Sequence, residues 1–170
     1  MKEIKLIVDG KEVKLTDEQI KALGFEVEKN HFERCKKGEK YFYVRADGKV
    51  TYVLDIKDET DKKLYLSANY CTDKELMTKR AKQEVLNRLL WRFSMENGWD
   101  DSLWDDFNVP KYYVSSCYHD CKEYDIDSFF AVCTEGAVHF TSKEIAQRAI
   151  DEIIIPFKKG ELEVCKIWEE

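Results

Sequence analysis

The sequence predicts an α+β fold: two tandem β-β-β-α units with antiparallel sheets, preceded by a small β-hairpin–helix unit. Three observations carry this reading. First, Cys71 to Gly98 is the longest helical pattern in the chain, with Ala81, Val85, Leu89 and Phe93 at intervals of four and Met77, Leu86 and Leu90 beside them. That is the apolar stripe of a helix lying on a core. Second, the opening of that helix, Thr72-Asp73-Lys74-Glu75-Leu76, returns as Thr141-Ser142-Lys143-Glu144-Ile145. Third, runs of alternating aromatic and β-branched residues, separated by turn signals, precede each of these openings. The units divide at 1–25, 26–98 and 99–170.

In the opening unit, Ile4-Leu6-Val8 and Val13-Leu15 alternate on either side of Asp9-Gly10, a two-residue hairpin signal. Thr16 then caps a helix from Asp17 to Leu23, with Gln19 at its third position and Gly24 behind it. Glu26 to Lys40 reads as a polar connection, with Phe25, Val27 and Phe32 as its apolar anchors.

The first half-repeat follows. Tyr41 to Val44 is a strand, Asp47-Gly48 a turn and Lys49 to Leu54 the partner strand. Asp58 to Lys63 is a charged loop, and Leu64 to Ala68 a third strand leading into the long helix. Thr72 is placed as N-cap of that helix with Glu75 reaching back, and Gly98 as its stop. In the second half-repeat, Tyr112 to Tyr118 and Tyr124 to Cys133 are strands, Glu135-Gly136 turns the chain, and Ala137 to Phe140 is a short third strand. Thr141 caps the helix that follows, whose apolar face is Ile145, Ala146, Ala149, Ile150, Ile153 and Ile154, and Pro156 ends it. Leu162 to Trp168 is a final strand.

Composition excludes several function classes. Hydrophobic residues make up 44% of the chain, enough for a core. The N-terminus has no apolar signal-peptide segment, and no run is long enough to cross a membrane. Six cysteines without a secretion signal read as reduced thiols in a cytosolic protein. A net charge of −6 disfavours non-specific DNA binding and anionic membranes.

The segment joining the halves, residues 96–110 (ENGWDDSLWDDFNVP), holds five acids and no base, interleaved with aromatics. Trp99, Asp100, Asp101, Trp104, Asp105, Asp106 and Phe107 are the candidate partner-binding residues, because aromatics ringed by carboxylates suit a protein interface. The plainer reading is a loop whose tryptophans pack down while its acids stay wet. A magnesium site is the weakest alternative, since no phosphate-binding loop accompanies the acids.

Trp91 falls off the apolar stripe, beside Arg80, Glu84 and Asn87. Either it covers the connecting segment, or Trp91, Arg88 and Arg92 form an alternative ligand site, an indole to stack on and guanidiniums for phosphate. The two arginines can instead pair with the connector's acids.

Cys117-Tyr118-His119-Asp120-Cys121 has metal-like spacing, but zinc needs a further ligand pair and the remaining cysteines are isolated. A hairpin tip with ordinary thiols is the simpler reading. His31, His119 and His139 sit in no nucleophile motif, Asp125 and Asp127 are the outward residues of a strand, and there is no glycine-rich phosphate loop. The expectation is a protein that is not an enzyme and uses no cofactor and no metal.

The opening MKEIKLIVDGKEVKLTDEQIKAL, the strand YFYV with its turn, the NYCTDKE helix start running to LLWRF, and KYYV followed by VHFTSKEIAQRAIDEI together resemble a family of uncharacterised phage and prophage proteins of low-GC Gram-positive bacteria. The resemblance implies a viral origin and the host-cell cytoplasm, and it transfers no catalytic residue. Small accessory proteins of this kind are often counter-defence factors, such as anti-CRISPR proteins or sponges for immune signalling nucleotides. The resulting expectation is a non-enzymatic phage-encoded binding protein that blocks a host factor, an antiviral-defence protein or protein–nucleic acid complex. The alternative is a sponge for a nucleotide second messenger, and an unrecognised enzyme is more distant.

Overall fold

In the first forty residues the chain makes a hairpin and a helix, as its turn and cap signals require. The computed structural model describes residues 5–8, 11–24, 30–116, 124–130 and 136–168. Strands β1 (Lys5–Val8) and β2 (Lys11–Lys14) pair antiparallel with Leu6 opposite Val13, and helix α1 follows over Asp17–Ala22. Thr16 and Gln19 form the expected capping box: Gln19 N–H donates to Thr16 Oγ1 (3.3 Å) and Thr16 N–H to Gln19 Oε1 (2.9 Å). These residues belong to a compact unit, Met1–Glu33, distinct from a second unit, Arg34–Glu170. The expected anchor Phe32 is exposed, while Phe25 and Val27 lie outside the described residues.

The second unit mixes helices with two-stranded antiparallel sheets. Strands β3 (Lys40–Val44) and β4 (Val50–Leu54) pair with Phe42 opposite Tyr52. Their turn is closed by Asp47, whose carboxylate accepts from Lys49 N–H, and by Gly48 in the left-handed region at φ +88°. The outer edge of β3 is covered. Phe42 exchanges both backbone bonds with Cys71 (2.7 and 3.0 Å), and Val44 exchanges both with the side-chain amide of Asn69 (2.8 and 2.8 Å).

The third strand expected over 64–68 is instead helix α2 (Glu59–Leu66). The expected charged loop carries its start signal: Asp58 accepts from Asp61 N–H at 2.8 Å, and the Asp61 carboxylate accepts from Asp58 N–H at 3.3 Å. Once capped, the β-prone Leu64-Tyr65-Leu66 run winds helically and leaves Leu66 in solvent. What remains of a third strand is the single bridge at Cys71.

That bridge also moves the cap of helix α3 (Lys74–Glu96). Because Cys71 is held in extended pairing, the N-cap is Asp73 rather than the expected Thr72, and its carboxylate accepts from Glu75 N–H (2.8 Å) and Leu76 N–H (3.0 Å). The apolar stripe buries as its spacing dictates: Met77 and Ala81 pack with Val44 and Cys71, Val85 and Leu86 with Ile150, Ile154, Phe157 and Cys165, and Phe93 with Phe140, Ala146 and Ala149. Gly98, at φ +88°, lets the chain leave the helix end. Residues on either side of the connector thus pack together along α3, in the clusters around Val85 and Phe93.

Strands β5 (Lys111–Ser115) and β6 (Asp125–Phe129) form the third hairpin, with Val114 opposite Ile126. The expected strand at 137–140 is reduced to one bridge, Tyr112 to Phe140. Cys117, His119, Cys121, Cys133 and Glu135 lie outside the described residues. Helix α4 (Lys143–Ala149) is capped by Ser142, not Thr141, with Ile145 N–H donating to its hydroxyl at 3.2 Å.

Pro156 does not end the helix. The chain widens into a π-turn over Ile150–Ile154 and continues as α5 (Ile155–Lys159) to Gly160, which is left-handed at φ 75°. Pro156 sits just after this widened turn, where its missing N–H is tolerated. The expected final strand is a 3₁₀ segment, Glu163–Trp168. Its three-residue period puts Cys165 and Trp168 on one side, with Cys165 buried and the Trp168 ring edge-on to Phe157 at 5.9 Å.

Candidate functional site

The connector between α3 and β5 is built from the inside outward. Trp99 N–H donates to Ser94 O at 3.1 Å, which turns the indole inward, and only 8% of Trp99 is exposed. Trp99 stacks on His139 (centroids 5.6 Å, planes 28° apart), and Trp104 stands edge-on to both, 5.7 Å from Trp99 and 4.9 Å from His139. Tyr113 of β5 approaches the imidazole from another side at 6.3 Å. Ser94 Oγ donates to His139 O, tying α3 to the residue before the Phe140 bridge.

Over this aromatic floor lies a 3₁₀ turn, Asp101–Asp105. Asp100 caps it, accepting from Ser102 N–H at 2.8 Å, and the Ser102 hydroxyl and N–H hold its carboxyl below the usual range. Asp101 accepts from Trp99 Nε1 at 3.2 Å. Asp106 closes the segment by accepting from Asn108 N–H at 2.9 Å. Asp100, Asp101, Asp105 and Asp106 are all exposed, and among the described residues none of the four is in an ion pair. Phe107, 65% exposed, projects from the same segment.

Lys111 is wholly buried beneath, donating to the backbone oxygens of Asp106 and Phe130, with its ammonium 5.6 Å from the Trp104 ring. It anchors the connector to the end of β6 through the Asp106 and Phe130 carbonyls and makes no bond to the four carboxylates.

Of the predicted contact residues, then, the structure brings six to the connector's surface or its edge and takes Trp99 inside. Trp104 is half-buried, so its face serves the floor. His139 and Lys111 are the supporting residues that sequence reasoning did not place. The Val138-His139-Phe140 alternation was the one signal for His139, since it puts the imidazole on the face opposite Phe140. Lys111, flanked by Pro110 and Tyr112, gave none.

The alternative trio is also assembled. Arg88, Trp91 and Arg92 line an open hollow of about 360 Å³ with Asp47, Val85, Leu89 and Val164. Trp91 is 59% exposed and does not cover the connector. Of the two arginines, Arg92 pairs with the connector's first acid, Glu96, at 3.9 Å, whereas Arg88 donates to Ala46 O at 2.9 Å.

A third polar centre surrounds Asp55, which is fully buried. Its carboxylate accepts from Arg34 Nε (3.1 Å), Tyr70 OH (3.0 Å), Lys57 Nζ (3.2 Å) and Lys57 N–H (2.8 Å). Burial opposes its charge, but the Arg34 guanidinium and the other donors outweigh this and hold the carboxyl well below the usual carboxylate range. Tyr70 OH also accepts from Cys35 N–H at 3.0 Å and lies 2.7 Å from the Cys35 sulfur; burial first, then the Cys35 thiol and Asp55, push its phenol up, against the opposing pull of the Cys35 N–H. Each buried side-chain polar atom of Asp55 and Tyr70 is hydrogen-bonded, so the group forms a satisfied polar node. Among the described residues no group of three His, Cys, Asp or Glu side chains is placed to hold a metal ion.

Comparison with protein families, curated proteins and solved structures gives no match for this chain.

Proposed function

We propose that this chain is a non-enzymatic binding protein that blocks a host factor, acting through the acidic-aromatic connector. One observation carries the reading: Phe107 stands in solvent just after a turn that carries four exposed carboxylates free of ion pairs and whose underside is fixed by Trp99, Trp104 and His139. A prepositioned aromatic surrounded by one sign of charge suits a basic protein surface, because the field steers the encounter and the ring supplies the buried anchor. A phage-type accessory protein in the host cytoplasm, directed at an antiviral-defence protein or protein–nucleic acid complex, remains our reading of origin and target. The tandem β-β-β-α duplication belongs to the same reading. It is supported by two hairpins that each take a one-residue bridge, at Cys71 and Phe140, three residues before a capped helix.

The second reading, a nucleotide sponge, is favoured by the meeting of Arg88, Trp91 and Arg92 in one hollow. Arg88 is partly engaged there by Ala46 O, and Arg92, which is exposed, by Glu96.

Affinity capture from host lysate separates the two. The expected result is retention of a defined basic host protein, weakened by salt, by Phe107→Ala and by the paired Asp105→Asn/Asp106→Asn change, with melting temperatures unchanged. Phe107 is chosen as the probe rather than Trp104 because Trp104 is part of the floor. If nothing is retained, and a cyclic or ADP-ribose-type nucleotide raises the melting temperature of wild type but not of Arg92→Ala, the sponge reading stands and the connector reading fails.

A further inference from the structure

The two sides of the β3–β4 hairpin are treated differently, and the difference identifies an interface. In an antiparallel pair, backbone groups point alternately toward and away from the partner strand. Arg45 N–H bonds Lys49 O, and Asp55 N–H bonds Glu39 O, so the residues of β4 whose groups point away from β3 are Val50, Tyr52 and Leu54. The matching outward groups on β3 are satisfied at Phe42 by Cys71 and at Val44 by Asn69. On β4 they are not: β3 is its one strand neighbour, and among the described residues no hydrogen bond reaches that edge. Soluble proteins usually protect such an edge with charge or proline. Strand β6 carries Asp125 and Asp127, whereas Val50 to Leu54 carries no charge at all. The side chains on the outward register form an exposed apolar row: Tyr52 at 58%, Leu54 at 50% and Ile56 at 58%.

We infer that the β4 edge is a homodimer interface, with two copies pairing β4 to β4 antiparallel about a twofold axis at Tyr52. Three features point to a second copy as the occupant. The parity is right: centring on Tyr52 puts Val50 opposite Leu54 of the other copy, so all the outward donors and acceptors pair with one another. The sequence is self-complementary, since Val-Thr-Tyr-Val-Leu read against itself sets apolar against apolar and Thr51 against Val53. Carried outward, the same register sets Asp47 of each copy, ion-paired with Arg45, against Lys57 of the other, ion-paired with Asp55, so no like charges meet at either end. An isologous contact of this kind closes on itself. It consumes the two free edges and leaves the covered β3 edges outermost, so the product is a dimer rather than a fibre. The resulting four-stranded sheet would lay Leu54 of one copy beside Val50 of the other, extending the core of Val44, Met77 and Ala81 that Val50 already joins.

The test is sedimentation of the full chain, wild type and variants. Wild type is expected to be a concentration-dependent dimer. Tyr52→Pro and Leu54→Pro each remove an N–H that the hairpin itself does not use, so the fold is retained while the edge is blocked. Each is expected to raise the dimer dissociation constant roughly tenfold or more, as loss of symmetric hydrogen bonds implies. In Tyr52→Cys, mild oxidation should give a disulfide-linked dimer mapped to position 52 in both copies, because the directly opposed Cα atoms of such a pair lie about 5.5 Å apart, within disulfide reach. This readout still decides if a proline variant fails to fold. A wild type that stays monomeric at its highest soluble concentration, a dimer that survives both proline changes, or crosslinking through native cysteines alone would overturn the interface.

Discussion

The imidazole of His139 lies nearly flat against the indole of Trp99, 5.6 Å between centroids, with its Nε2 buried and without a hydrogen-bond partner among the described residues. A neutral ring is at home there and a charged one is not, since the added proton would have nothing to bond. Burial accordingly lowers the His139 pKa below its ordinary value, partly opposed by its bond to the Ala137 backbone.

The sign of the pH dependence follows. Above an unfolded-state pKa of about 6.5, both folded and unfolded chains hold His139 neutral, and its contribution to stability is complete. As pH falls through that value the unfolded chain takes up a proton that the folded chain resists, so stability declines until the lowered folded pKa is passed. We expect wild type to lose more stability than His139→Phe between pH 7 and pH 5 in denaturant titrations. Equal slopes for the two proteins would show that His139 does not titrate between the states.

Gly48 makes a separate prediction. Its φ of +88° is unfavourable for a side chain, and a Cβ there would sit 2.6 Å from Val85 Cγ2 and 3.3 Å from Ile167 Cδ1. Its carbonyl accepts from Trp168 Nε1 at 3.1 Å, so the turn cannot move away without losing that bond. Gly48→Ala should therefore destabilise by about 1–3 kcal/mol, combining left-handed strain with overpacking. Thermal unfolding indistinguishable from wild type would mean the turn has room that this geometry denies.

Periodicity made α3 legible in the sequence, because its apolar spacing repeats from Met77 to Phe93, over more than four turns, and little competes with it. The hairpins were legible for the same reason, down to the Asp47-Gly48 turn. What misled was local signal without context. Leu64-Tyr65-Leu66 has strand propensity, and only the Asp58–Asp61 box, acidic rather than the usual Ser/Thr with Glu, turns it into helix. The connector was recognisable as an aromatic-acidic segment, but which tryptophan faces inward depends on Ser94 and His139, the latter 40 residues away in sequence. Such a pairing has no one-dimensional trace.

Both long-helix caps were displaced by one residue, and each displacement is testable. Bridge pairing holds Cys71 and Phe140 extended, so Asp73 and Ser142 become the first side chains able to meet free helix N–H groups. Asp73→Ala and Ser142→Ala should each lower stability by ~1 kcal/mol. The measurement is the urea midpoint at unchanged slope. Should Thr141→Ala match Ser142→Ala, the cap would not be confined to Ser142; Thr141 Oγ1 instead reaches Asn97 O at 3.4 Å, a tie between helix ends.

The buried node at Asp55 gives the largest expected effect. Tyr70 stacks on Tyr41 at 4.0 Å while its hydroxyl joins Cys35 to Asp55, so one ring couples the β3–β4 sheet to the segment entering it. Replacing a buried carboxylate by an amide leaves the cations around it without their counter-charge, which costs on the order of 3 kcal/mol. Asp55→Asn should show that loss at neutral pH. Tyr70→Phe keeps the stacking but strands the Cys35 N–H, and should cost about 1–2 kcal/mol. The carboxyl is held below its ordinary value in the folded chain, so its contribution is complete above the unfolded pKa of about 3.9 and is lost as pH falls beneath it. The wild-type advantage over Asp55→Asn should therefore shrink on acidification below pH 4, well under the window assigned to His139. An advantage that persists undiminished to pH 2 would mean that packing, and not the charge of Asp55, holds this node together.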